Sequence, residues 1–180
     1  PDFLFPGSFN PRHEGHHQIT EFVKRTYDAR VEYELSILNV DKPVLEIYET
    51  LSRLLQFVPQ DPVWLTGSST FEEKAKLFPK TTFVVGADTI MRVGDLKYYQ
   101  SPMAQRQAIQ TIMESGCRFL VFGRWLDSEV PRAGVGEPGF CQLEDLDLDE
   151  DLRQLCTEVP ESAFRCDISS TQIRATRLDP

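Results

Sequence analysis

An α/β fold, built as a doubly wound, mostly parallel sheet with helices on both faces, is what this sequence predicts, and three observations lead there. β-rich or apolar runs alternate with helical patterns along the chain, the pattern of βαβ units. The run at 81–85 (TTFVV) ends in a continuous apolar stretch, as expected of a strand buried on both faces. Distinctive motifs follow Phe5, Val85 and Ile168, read as strand ends, where ligands bind in open sheets of this kind.

The elements follow in order. Residues 2–6 read as a short buried strand, and Gly, Ser, Asn and Pro at 7–11 as a turn. From 15 to 27, Ile19, Phe22 and Val23 recur at helical spacing. Residues 31–38 (VEYELSIL) alternate as a strand. Residues 44–57 form a strongly amphipathic helix, with Leu45, Tyr48, Leu51, Leu54 and Leu55 on one face and Pro59 ending it. A strand is expected at 63–66, a helix at 71–77, a strand at 81–85 and a short helix at 89–93. A helix at 103–113 and a buried strand at 119–122 come next. Residues 127–140 read as a Gly/Pro-rich loop, 148–156 as a helix, 163–168 as the last strand and 169–175 as the start of a terminal helix.

At 180 residues, the chain predicts one domain spanning 1–180, and its opening without Met reads as a cut from a longer protein. The apolar fraction of 41% and charged fraction of 26% are those of an ordinary globular protein. No apolar run approaches the ~18 residues that span a bilayer, and no signal peptide is visible, so a cytoplasmic protein without a membrane partner is expected. The formal net charge of −9 argues against a nucleic-acid surface but not against a small phosphorylated ligand, which needs only a few cations. Part of the acid lies in EDLDLDED at 144–151. Cys117, Cys141, Cys156 and Cys166 form no C-x-x-C pair, and with three clustered histidines they make no zinc pattern; reduced thiols are expected and no protein metal ligands are assigned.

All three histidines, His13, His16 and His17, fall within PGSFNPRHEGHH at 6–17. The turn joins a strand to a helix start, whose unpaired N–H groups attract phosphate. Gly7 permits close backbone approach to a ligand. His13 and His16 share a face of the first helical turn and can donate to a phosphate whose charge grows during reaction. His17 points elsewhere. At the other end, in ISSTQIR (168–174), Ser169, Ser170 and Thr171 open a helix, and Arg174 lies one turn on, able to fork onto phosphate oxygens. Between them, FVVGAD at 83–88 places Gly86 and Asp88 after a buried strand; Asp88 can accept from a ribose hydroxyl or cap the helix that follows.

GSFNPRHEGH resembles the (H/T)xGH signature of the nucleotidyltransferase superfamily, ISSTQIR resembles the ISSTxxR signature of its adenylyltransferase branch, and FVVGAD resembles the central segment of nicotinamide mononucleotide adenylyltransferases. The resemblance runs from Phe3 to Arg174, except for 125–162, and implies a Rossmann-like sheet and Mg²⁺-dependent transfer of AMP from ATP. It implies catalytic roles for His13, His16 and Arg174. It implies ATP contacts from Gly7, Ser8, Phe9, His16, Gly86, Asp88, Ile168, Ser169, Ser170, Thr171 and Arg174. It implies acceptor contacts from Ser8, Asn10, Lys42, Lys97, Tyr98 and Arg124. The family commonly has a Trp after GAD where this chain offers Tyr98 and Tyr99, so the acceptor is less fixed than the chemistry.

No G-x-x-x-x-G-K-[ST] loop and no G-x-G-x-x-G turn after the first strand is present, which disfavours a P-loop ATPase and a dinucleotide oxidoreductase. Two alternatives stay open. One is another acceptor or donor, as in phosphopantetheine adenylyltransferase or a cytidylyltransferase. The other is a nucleotide-binding or ATP-hydrolysing regulatory domain. A homo-oligomer is also open.

Overall fold

The computed structural model describes residues 1–41, 44–126 and 139–178. Its chain packs into two compact units: one of Pro1–Thr70 and the chain from Cys166 onward, the other of Phe71–Arg165.

In the first unit, β1 (Phe3–Pro6), β2 (Val31–Ser36) and β3 (Val63–Thr66) are parallel, with Phe3 opposite Val31 and Tyr33 opposite Val63. Helix α1 (Glu14–Tyr27) returns the chain from β1 to β2. It has Glu14 in its first turn, Lys24 and Arg25 in its last, and Asp28 as a left-handed cap, charges that suit the helix dipole. Helix α2 (Ile47–Leu54) joins β2 to β3, and α7 (Ser170–Leu178) ends the described chain. Leu4, Phe9, Val23, Tyr33 and Leu35 are the buried centre, each large apolar side chain contributing roughly 1.5–3 kcal/mol.

In the second unit, β4 (Thr82–Gly86), β5 (Arg118–Phe122) and β8 (Cys156–Val159) are parallel, with Thr82 opposite Arg118 and Phe119 opposite Cys156. A separate antiparallel pair, β6 (Arg124–Leu126) and β7 (Gly139–Cys141), sets Trp125 against Phe140. Helices α3 (Phe71–Leu77), α4 (Ala87–Gly94), α5 (Pro102–Glu114) and α6 (Glu150–Gln154) complete it. Phe83, Val84, Phe119, Leu120, Val121 and Phe122 are buried, so β4 and β5 are covered on both faces, as their apolar runs predict. Phe71 closes on Phe83 and Phe119 at 5.3 Å between ring centres.

The sheet order is β3-β2-β1-β4-β5-β8, the doubly wound, Rossmann-like α/β arrangement that the alternation predicts. Three expectations are corrected. The last strand is Cys156–Val159 and not 163–168: CTEV pairs with β5, whereas Ala163 and Phe164 donate back to the Pro160 carbonyl in a turn. Ile168 therefore ends no strand. The 44–57 helix shortens to Ile47–Leu54, and its buried positions are Thr50 and Arg53, while Tyr48, Leu51 and Leu55 are exposed. The predicted loop at 127–140 gives up Gly139 and Phe140 to β7; its residues 127–138 lie outside those described.

Candidate functional site

The turn after β1 is shaped by one aromatic side chain. Phe9 has a left-handed backbone (φ 43°) yet is only 1% exposed, a strained conformation for a bulky residue. Its ring sits edge-on against Phe5, Tyr33, His16 and Phe57, at 5.1–5.8 Å between centres. That packing offsets a left-handed penalty of roughly 1–2 kcal/mol. A Cβ on Gly7 would come within 2.8 Å of the Phe9 ring, so Gly7 is required by Phe9, in addition to any approach by a ligand. Phe9 has only its main chain to offer a nucleotide.

His13 and His16 close the start of α1 as a capping box. His13 Nδ1 accepts from the Gly15 N–H at 3.2 Å, and His16 Nδ1 accepts from the His13 N–H at 3.1 Å. An imidazole that accepts at Nδ1 is unprotonated there, so this bonding assigns the neutral proton of both rings to Nε2 and makes both Nε2–H groups donors. The rings lie 3.9 Å apart, as a pair able to address one anionic group. His17 is on the exposed side of the helix. Gly15 is closely packed: a Cβ there would meet Cys166 Sγ at 3.0 Å and the His13 ring at 3.1 Å.

A buried polar network that local sequence patterns do not announce braces the turn. The Arg12 guanidinium, with its side chain 4% exposed, pairs with Asp61 at 2.8 Å, donates to the Tyr33 hydroxyl at 2.9 Å and lies over the Tyr33 and Phe57 rings. The Arg12 N–H donates to Gln56 Oε1 at 2.7 Å, and Gln56 Nε2 donates to the Phe9 carbonyl at 2.9 Å. Arg53 donates to the Ser8 carbonyl at 2.9 Å and pairs with Glu49. Gln56, Asp61 and Arg53 lie 44–49 residues from the groups they bond, Gln56 and Asp61 beyond the end of α2, so no local pattern marks them.

The two terminal motifs meet. Ser169 Oγ accepts from the Gln172 N–H while Gln172 Oε1 accepts from the Ser169 N–H, both at 3.1 Å, a capping box that starts α7. Ser170 Oγ donates to the Pro11 carbonyl at 2.9 Å across 159 residues of sequence. Arg174 donates to the Asn10 carbonyl, and to Thr171 Oγ1 at 3.0 Å. Gly7 to His16 and Ser169 to Arg174 are thus one constellation. Thr171 and Ile168 are exposed beside it.

A second cluster belongs to the other unit. Gly86 caps α4, and Asp88 lies within its first turn, not at the cap. A Cβ on Gly86 would fall 2.6 Å from Asp88 Oδ1, so the glycine makes room for that carboxylate. Asp88 faces Arg92 at 3.5 Å and Arg124 at 3.6 Å, and its Oδ1 is buried without a hydrogen bond. Lys97 is paired with Asp95 at 3.0 Å and lies over the Tyr98 ring; that hydrogen bond raises the Lys97 pKa, and the Lys97 main-chain N–H chiefly lowers that of Asp95. Tyr99 donates to the Val93 carbonyl at 2.8 Å, and burial raises its pKa. Lys42 lies outside the described residues.

Among the described residues, no helix is long and apolar enough to cross a membrane, and no group of three or more His, Cys, Asp or Glu could hold a metal ion. No curated protein matches the chain. The cytidylyltransferase-like family model matches residues 4–176, which takes in both terminal motifs and the segment around Asp88. The chain therefore belongs to the cytidylyltransferase-like family of nucleotidyltransferases.

Proposed function

We propose that this nucleotidyltransferase moves AMP from ATP to a phosphate monoester, and that nicotinamide mononucleotide is the acceptor. The observation that carries the reading is the joining of the two motifs: Ser170 on the Pro11 carbonyl and Arg174 on the Asn10 carbonyl bring the positive end of a helix beside the paired histidines. An acceptor phosphate oxygen attacks the α-phosphorus in line. The bond from the α-phosphorus to its bridging oxygen breaks, and pyrophosphate leaves with that oxygen. No covalent enzyme intermediate is needed, so catalysis is positioning and charge stabilisation.

In this reading, the Nε2–H groups of His13 and His16 donate to phosphate oxygens at the scissile bond. Ile168, Ser169, Ser170, Thr171 and Arg174 hold the β- and γ-phosphates, with Gly7, Ser8 and the main chain of Phe9 alongside. Gly86 and Asp88 serve the ribose. Ser8, Asn10, Lys42, Lys97, Tyr98 and Arg124 serve the acceptor. Mg²⁺ arrives with ATP as part of the substrate, bound to phosphate oxygens and water. The FVVGAD segment supports nicotinamide mononucleotide over phosphopantetheine.

The test is pyrophosphate release from ATP and Mg²⁺ with and without nicotinamide mononucleotide, with parallel arms using phosphopantetheine and CTP. The expected result is release that depends on the mononucleotide, with NAD forming in step. Inorganic phosphate from ATP alone, with no pyrophosphate on any acceptor, would overturn the reading in favour of a hydrolytic regulatory domain.

A further inference from the structure

Helix α2 is inverted. Its buried positions, Thr50 and Arg53, are polar, because Arg53 reaches inward to the Ser8 carbonyl. Its apolar positions face outward: Ile47 is 77% exposed, Tyr48 86%, Leu51 50% and the capping Leu55 83%, with Val44 at 62% and Val58 at 53% flanking them. Residues 47, 51 and 55 are spaced by four, so with Tyr48 they form one continuous stripe. The same helical geometry turns Glu46 and Glu49 away from Leu51, leaving no charge in the stripe.

We propose that this stripe is the contact between two copies of this chain, paired antiparallel about a two-fold axis at Leu51. Three observations favour a second copy. First, at roughly 150–200 Å² for a fully exposed large apolar side chain, the four stripe residues leave on the order of 500 Å² uncovered per chain, and two chains together reach the roughly 1,000 Å² of a specific interface. A patch of that size lies at the upper end of what monomers expose, where such patches are often contact sites. Second, a chain of net charge −9 repels its own copy over most of its surface, so a self-contact needs an uncharged strip, and this helix provides one. Third, the stripe is self-complementary: Leu51 meets its own copy at the axis, and Ile47 of one chain meets Leu55 of the other, as an isologous contact requires. The pairing stands independently of the activity proposed above.

Sedimentation analysis from low to high micromolar chain concentration tests it, on the unaltered chain and on Leu51→Glu and Tyr48→Glu measured separately. The expected result is a species of twice the 20.6 kDa chain mass, weakened at least about tenfold by either substitution. Both side chains are exposed, so each variant keeps the far-ultraviolet dichroism of the parent. A monomer at every concentration overturns the proposal, as does a dimer that neither substitution weakens. A monomer that floats with phosphatidylcholine vesicles overturns it in favour of a lipid surface.

Discussion

The turn after β1 and the cluster around Asp88 are both built from charged side chains near a glycine, yet they are held in opposite ways. At the turn, main-chain carbonyls of Ser8, Phe9, Asn10 and Pro11 each accept a bond from a side chain distant in sequence, and Arg12 is buried in an aromatic box with its own carboxylate. At Asp88, the pairs with Arg92 and Arg124 are at 3.5 and 3.6 Å, with the arginines partly in water. The first arrangement fixes backbone and leaves imidazole donors at the site. The second keeps charges that a ligand can take over at small cost. The contrast teaches that rigidity in one cluster and exchangeable pairing in the other are separable, and substitutions should separate them.

The largest effect is expected at Arg12. Arg12→Ala takes the cation from the Asp61 carboxylate and a donor from both the Tyr33 hydroxyl and the Gln56 carbonyl, leaving Asp61 only the Val58 N–H, and breaking a buried pair costs about 3–5 kcal/mol. Asp61 is 20% exposed on its side chain, so water recovers part of that and the lower end is expected. Urea unfolding should show the loss as a lower midpoint. Arg12→Lys, which cannot fork to Asp61 and Tyr33 together, should recover only part of it. A midpoint unchanged in Arg12→Ala would mean that the network does not brace the turn.

His16→Ala comes next and acts on rate. It removes one Nε2–H donor from the phosphates and one bond of the capping box. Loss of an oxyanion-type donor lowers turnover about 10²–10³-fold, while loss of the cap lowers stability by only about 1 kcal/mol. Turnover measured on the acceptor that supports pyrophosphate release would check it. A variant that turns over as fast as the parent would remove the histidines from the mechanism.

Asp88→Asn should invert that balance at the second cluster. Pairs at these distances with the cation partly in water contribute about 0–1 kcal/mol, and Asn keeps the shape of the half-buried side chain, so the unfolding midpoint should barely move. The carboxylate is the ribose acceptor in the proposed reading, so the Michaelis constant for ATP should rise about tenfold, the equivalent of one good hydrogen bond to a charged group. A large stability loss with an unchanged constant would recast Asp88 as a brace like Arg12.

Some of this contrast is legible in the sequence. The histidine spacing, the SST helix start and the GAD turn each carry local chemistry that reads at once, and the α/β alternation gives the sheet. Arg12 also sits in plain view between Pro11 and His13. Its partners do not, because Gln56 and Asp61 are joined to it only by the fold, and no periodicity encodes a contact across 44 or 49 residues. The apolar face of α2 was readable but its direction was not, since a hydrophobic stripe says that something covers it and not what. The strand Cys156–Val159 escaped for a different reason: four residues behind a one-turn helix carry too little pattern to separate strand from helix end.

The smallest effect at neutral pH is expected at a thiol in the unit that holds the Asp88 cluster. Cys156 opens β8, and burial pushes its pKa from an ordinary 9.0 up to about 12, with Arg153 opposing the rise. The folded unit therefore favours the protonated thiol. The sign follows: the stabilising contribution is complete below pH 9 and is lost as pH climbs toward 12, where the unfolded chain has already released the proton and the folded chain has not. Stability measured from pH 8 upward should decline more steeply in the parent than in Cys156→Ala, which has no thiol to titrate. At neutral pH, alkylation of Cys156 should wait for unfolding, because the reactive thiolate is scarce in the fold. Labelling of Cys156 as fast as that of a model thiol would show that this edge of the second unit opens as readily as the loose Asp88 pairs, and that only the turn after β1 is held rigid.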